Sequence, residues 1–150
     1  VVAAVTLVTA SCYRAPAIAG PRRGALEATT VRSVAEATHA ALGAITDEGL
    51  SVEQFRPDTG LVETRWFDVA ALETGAATFA YPAQERLVRF RFLAVADPAA
   101  GATRLYLEPL RPSVTDRMGG RRSEQLVPRD HPAMAVGRRV LDRIHDRLEP

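Results

Sequence analysis

Between Arg86 and Leu110 the chain twice alternates apolar with charged or polar residues, on either side of a short turn. In RLVRFRFLAVA, Arg86–Ala96, one face holds Val88, Phe90, Phe92, Ala94 and Ala96. The other holds Arg89 and Arg91, with Leu87, Leu93 and Val95 at its ends. A period of two sends successive side chains to opposite faces of a strand. Asp97-Pro98-Ala99-Ala100-Gly101 has turn chemistry. Thr103–Leu110 then returns with Leu105, Leu107 and Pro109 on one side and Arg104, Tyr106 and Glu108 on the other. Such a chain is committed to an antiparallel pair with one apolar face, and that face needs an apolar cover.

The cover and the rest of the sheet are legible on either side. Leu50–Arg56 and Leu61–Val69 read as strands about Pro57-Asp58-Thr59-Gly60, a hairpin loop in which Pro presets φ and Gly supplies a positive one. Alternation assigns Val62, Thr64 and Trp66 to one face, which gives Trp66 the weight of a core residue. Glu63, Arg65 and Phe67 take the other. From Thr30 to about Asp47, Val31, Val34, Ala35, Thr38, Ala41, Leu42 and Ile45 recur at helical spacing, with Thr29 or Thr30 as the cap and Gly49 as the stop. His39 lies off this stripe. A closing helix starts near Pro132 with Asp130 as its cap, and buries Met134, Val136, Gly137, Val140, Leu141, Ile144 and Leu148. The expected fold is α+β: a four-stranded antiparallel meander with two helices on one face, in the order α-β-β-β-β-α.

Composition excludes more than it selects. At 150 residues, 47% hydrophobic and 25% charged, the chain has the size and balance of one globular domain. A net charge of +1 is far from that of a general nucleic-acid binder. All 19 basic residues are arginine, a pattern expected from codon bias, and the lack of lysine removes Schiff-base and P-loop chemistry. One cysteine excludes an intrachain disulfide or a thiolate cluster. His39, His131 and His145 lack companions at metal-ligand spacing, so no metal and no cofactor is expected. Ser123 and His131 stand eight apart without a motif around them, and no G-x-S-x-G or H-E-x-x-H occurs. The expectation is a protein that is not an enzyme.

The first residues carry an address. Residues 1–11, VVAAVTLVTAS, are uncharged, largely apolar and too short to span a bilayer, but fit the hydrophobic region of a secretory signal whose start lies further upstream. Cys12 follows directly, and Leu7-Val8-Thr9-Ala10-Ser11-Cys12 is similar to a bacterial lipobox. That resemblance implies a lipidated Cys12 bearing a diacylglyceryl thioether and an N-acyl chain such as palmitate, together a stable membrane anchor. Two other readings stand beside it: plain secretion with cleavage after Ala17-Ile18-Ala19, and a buried apolar strand with an inert cysteine. The chain thus divides into a signal remnant at 1–11, a lipid-anchored linker at 12–29 with Pro/Gly-rich composition, and a globular domain at 30–150.

Two surfaces are candidates for binding. The polar face of the sheet collects Glu53, Glu63, Arg65, Arg89, Arg91, Arg104 and Glu108, expected to be a solvated array of cross-strand ion pairs. Residues 111–130 read as a long loop with the most basic patch in the chain, and Arg111, Arg117, Arg121, Arg122 and Arg129 are the candidate partner-binding residues.

The lipobox at Cys12, the helix before Leu50, the Asp58-Thr59-Gly60 hairpin with its Val62–Trp66 strand, the Arg89–Phe92 strand and the closing helix together resemble the BamC-type envelope lipoproteins. These belong to the outer-membrane β-barrel assembly machine. The resemblance implies a helix-grip domain, a periplasmic-facing place on the outer membrane, and binding or scaffolding of an envelope protein without catalysis. Those proteins carry two such domains, and this chain has room for one. The expected function is therefore that of a lipid-anchored module with a membrane and a protein, but no nucleic acid, as partners. The alternative is a carrier of small apolar ligands in the periplasm, in a cavity lined by Phe90, Phe92, Trp66, Met134 and Leu141.

Overall fold

The computed structural model describes residues 19–74, 86–113 and 124–149. Ten elements follow in order: β1 (Leu26–Thr30), α1 (Val34–Asp47), β2 (Val52–Arg56), β3 (Leu61–Thr64), β4 (Phe67–Asp68), α2 (Val69–Thr74), β5 (Leu87–Asp97), β6 (Ala102–Pro112), β7 (Glu124–Leu126) and α3 (Pro132–Leu148). The sheet runs β1-β6-β5-β3-β2, with β4 paired to β5 and β7 to β6, and every pairing is antiparallel.

This corrects the four-stranded meander in the order α-β-β-β-β-α. Among the described residues the sheet has seven strands and the fold three helices. Leu26–Thr30, at the junction of the stretch read as linker, is strand β1 and runs along β6 from Leu107 to Thr103. Glu124–Leu126, inside the stretch read as a loop, is β7 and takes up the same edge of β6 at Leu110–Pro112. Both are short and weakly patterned. They are strands because β6 is eleven residues long and its far edge presents backbone groups that need partners.

The second strand of the hairpin is also interrupted. Leu61 faces Leu93 and Glu63 faces Arg91, whereas Phe67 faces Val88 and Asp68 faces Leu87, so one extra residue lies between β3 and β4. Such a bulge reverses the inside–outside alternation beyond it. The hydroxyl of Thr64 accepts the Phe90 N–H at 2.9 Å, inside the interruption. Phe67 turns inward to meet Phe90 edge-on at 5.3 Å, and Trp66, expected in the core, stands on the opposite face.

The apolar face behaves as its pattern requires. Val62, Val88, Phe90, Phe92, Leu105 and Leu107 are buried against Ala37, Ala41, Ala44 and Ile45 of α1 and Ala133, Val136, Val140 and Ile144 of α3. Gly137 brings α3 close to the sheet. A Cβ there would fall 2.9 Å from Leu26 Cδ1 and 3.5 Å from Leu107 Cδ2. Gly137→Ala should therefore destabilise by about 1–3 kcal/mol through overpacking, against a helix-propensity gain of about 1 kcal/mol. An increase in urea midpoint would show instead that the helix can back away.

Helix α1 starts later than its period suggests, because Thr30 belongs to β1 and Val31 is 79% exposed outside the helix. Ser33 caps it. Its hydroxyl accepts the Glu36 N–H at 3.3 Å while the Glu36 carboxylate accepts the Ser33 N–H at 2.9 Å, a complete capping box. The Ser33 hydroxyl also donates to the Glu36 carboxylate at 2.7 Å, and this bond and the backbone one hold the Glu36 carboxyl below its ordinary value. A depressed carboxyl stabilises fully above its unfolded value, near 4.5, and ceases to as the pH falls through the folded one. Acid titration should fray the first turn of α1, read by the Ser33 and Glu36 amide shifts, and Glu36→Gln should remove that transition.

At the other end α1 places Asp47 and Glu48 where the helix dipole is negative. Helix α3 answers with arginines at four-residue spacing. Arg139 reaches Glu48 Oε1 at 2.9 Å, Arg143 reaches Glu48 Oε2 at 2.8 Å, and Arg147 pairs with Asp47. The cap of α3 is His131, whose Nδ1 accepts the Ala133 N–H at 3.2 Å; the expected cap, Asp130, lies one residue outside.

Candidate functional site

The outer face of the sheet, opposite the helices, carries the charged residues that the alternation placed there. Register sets Glu63 across from Arg91 and Arg91 across from Glu108 in a single row. The expected solvated array is instead sealed at its centre, while Glu53, Arg65 and Arg104 are exposed. Glu108 is 0% exposed, and Glu63 and Arg91 are 7% exposed each. A buried carboxylate is tolerated when its charge and lone pairs are met. Arg91 donates to Glu108 Oε2 from Nε at 2.7 Å and contacts it with Nη2 at 2.6 Å. Glu108 Oε1 accepts the backbone N–H of Arg22, whose guanidinium lies 3.7 Å from Oε2. The segment ahead of β1 is thereby fastened across the outer face.

A second guanidinium sits beside the first. Arg89 contacts Glu124 at 2.7 Å and Glu53 and Glu63 at 3.5 Å, and lies 5.2 Å from the centroid of the Trp66 ring. Gln54 donates to Glu63 at 2.9 Å. Arg22, Trp66 and Glu124 join this cluster from positions that no sequence period connects. Arg22 and Glu124 are brought in by β1 and β7, and Trp66 by the bulge. The cluster's three guanidiniums and four carboxylates are paired with one another, leaving one negative charge in excess.

The candidate partner-binding arginines divide. Arg111 is in β6 opposite Gln125 of β7, and with the Gln125 amide turned to satisfy both groups its oxygen accepts from Arg111 at 3.2 and 3.3 Å. Arg129 is exposed in the turn before α3, where the His131 N–H bonds the Pro128 carbonyl at 3.0 Å. Both flank the β6–β7 junction. Arg117, Arg121 and Arg122, together with Cys12, residues 1–11 and the start of the linker, lie outside the described residues.

Among the described residues two clefts open at the surface. One, of about 540 Å³, lies between the start of α1 and the end of α3 and is lined by Arg32, Glu36, His39, Arg147 and Leu148 among others. The other, of about 310 Å³, runs beside β1 and is lined by Glu27, Thr29, Asp97, Arg104 and Tyr106 among others. There Arg104 donates to Asp97 from Nε at 2.8 Å and contacts it with Nη2 at 2.7 Å. The pairing holds the Asp97 carboxyl below the usual range and raises the Arg104 guanidinium. Phe90, Phe92, Met134 and Leu141, the residues expected to line a ligand cavity, are packed in the common core, and Trp66 stands on the other face of the sheet. Among the described residues no helix is long and apolar enough to cross a membrane, and no group of three acidic, histidine or cysteine side chains is placed to hold a metal. The chain matches no protein-family model and no curated protein.

Proposed function

We propose that this chain is a non-catalytic binding module of the bacterial envelope, held at the membrane through a lipidated Cys12 and presenting its arginine-rich segment to an acidic face of a protein partner. The observation that carries the reading is the closure of β7 on β6. Pro112 pairs with Glu124 and Arg111 with Gln125, so both ends of the segment are pinned side by side on the sheet. Between those ends Arg117, Arg121 and Arg122 stand against Asp116. A basic segment on a rigid base suits electrostatic recognition, in which charges steer encounter and select the partner. Also in support, the buried and half-buried arginines of the outer face, Arg22, Arg89 and Arg91, are engaged by Glu53, Glu63, Glu108 and Glu124.

The test is capture from detergent-solubilised envelopes with the full chain as bait. A single stoichiometric partner should be retained by the wild type and lost by Arg117→Glu/Arg121→Glu/Arg122→Glu, with the melting temperature unchanged. Cys12→Ala should leave capture intact but move the protein out of the membrane fraction. Undiminished capture by the triple variant sinks the docking site, and membrane retention of Cys12→Ala sinks the anchor.

A further inference from the structure

Strands β1 and β7 share one edge of β6 and leave a gap between them. β1 pairs with β6 as far as Leu107 and β7 pairs from Leu110, so Glu108 and Pro109 lie in the gap. Two bonds fill it. The Val127 N–H donates to the Pro109 carbonyl at 3.0 Å, continuing β7, and the Arg22 N–H donates to the Glu108 carboxylate. The chain then turns into β1: the Ala25 N–H bonds the Arg22 carbonyl at 3.2 Å, and Gly24 takes φ +95°. This turn lies beside β7, since a Cβ on Gly24 would stand 3.8 Å from Leu126 Cδ1. Residues 19–25 thus reach the β6–β7 junction while they seal Glu108, which is 0% exposed.

We propose that residues 19–25 are a latch on β7. Seated on Glu108 they hold β7 to the sheet, and drawn off they loosen it, so the chain ahead of β1 controls how firmly the base of the arginine-rich segment is fixed.

Strand β7 suits such control. It is three residues long, and a short edge strand with few buried contacts opens locally at low free energy. Its side-chain tie to the outer face is the Glu124 contact with Arg89 at 2.7 Å. Arg89 stands two residues from Arg91 on the same face of β5, and Arg91 shares Glu108 with Arg22. The seated latch keeps water from this row, and a low local dielectric strengthens its ion pairs. Withdrawal admits water to Glu108 and Arg91 and, beside them, to Arg89. The tie on Glu124 then weakens as the cover over Leu126 is lost. Arg22 has a releasable hold: one backbone bond, and a guanidinium 3.7 Å from Glu108 Oε2 on a side chain that is 33% exposed. In a chain fastened at Cys12 the pull on the latch would come from the tether, a consequence that rests on the proposed anchor; the coupling itself does not.

Amide hydrogen exchange on the full chain tests the coupling. Arg22→Glu sets a carboxylate against the buried Glu108 and should expel the latch. Exchange of the Val127 amide and of the β7 amides should rise about tenfold or more. The Arg65 amide, bonded to the Ser51 carbonyl beside β2, should not change. Arg23→Glu makes the same charge change at an exposed neighbour and should alter neither. Coupling is reciprocal. Glu124→Gln, which unties β7 from Arg89, should therefore speed exchange of the Arg22 amide severalfold. β7 protection that survives Arg22→Glu overturns the proposal, as does an equal loss in Arg23→Glu. So does an Arg22 amide indifferent to Glu124→Gln, a result that decides the matter even where Arg22→Glu unfolds the domain. None of these readouts involves partner capture, so failure of the docking site and failure of the latch are told apart.

Discussion

Glu108→Ala is expected to lower the free energy of unfolding by about 3–5 kcal/mol, the usual penalty for removing one partner of a buried ion pair. The loss comes from what remains. Arg91 is 7% exposed and directs Nε and Nη2 at the carboxylate that the substitution deletes, so its charge would be left in a site that water does not reach. The Arg22 N–H loses its acceptor at the same time, which should free the segment ahead of β1 from the outer face. The paired change Arg91→Leu/Glu108→Leu removes both charges together and should recover stability to within about 1–2 kcal/mol of wild type. Urea unfolding of the wild type, both single variants and the double variant completes the cycle. A Glu108→Ala cost under about 1 kcal/mol, the worth of an exposed pair, would show that solvent reaches the site.

Gly60→Ala should cost about 3 kcal/mol or more, from two sources that act together. Gly60 closes the β2–β3 hairpin at φ +74°, where an L-residue is disfavoured by about 1–2 kcal/mol. A Cβ there would also fall 2.2 Å from the Ala94 carbonyl oxygen and 3.0 Å from Val34 Cγ1. The oxygen belongs to the backbone of β5 and cannot rotate aside. The same contact carries the bond from the Ala94 N–H to the Gly60 carbonyl at 2.8 Å, so relief of the clash breaks a ladder bond. Gly101→Ala is the control. It has φ +61° and no atom within 4 Å of the added Cβ, so it should cost only about 1–2 kcal/mol. Equal losses at the two positions would mean that β5 yields to the intruding methyl.

Loss of the clamp on Glu48 should be milder. Its arginine partners are about half exposed, so Glu48→Gln should cost about 1 kcal/mol at low salt, and the difference from wild type should shrink as salt screens the pairs.

Much of this architecture is written in periodicity. Alternation from Val88 to Ala94 and from Leu105 to Pro109 predicts the buried face of β5 and β6, because strand geometry forces period two wherever one side must be dry. The stripe from Met134 to Leu148 predicts the buried face of α3 for the equivalent helical reason. The composition of Pro57–Gly60 predicts the hairpin, since its backbone needs a residue that tolerates positive φ. These signals are local, and each residue involved carries its own share of them.

Other features belong to the assembled structure. LEATT and EQL are too short and too weakly patterned to declare themselves, and become β1 and β7 because the long edge of β6 has backbone groups to satisfy. Trp66 continues the alternation of Val62 and Thr64 in sequence, yet one inserted residue sends it to Arg89. The row of charges on the outer face could be read from register, but its burial could not. That required Arg22 to arrive 86 residues away from Glu108. A strand's own sequence specifies which side is apolar; what lies over its polar side is decided by elements far along the chain, through contacts that leave no local period.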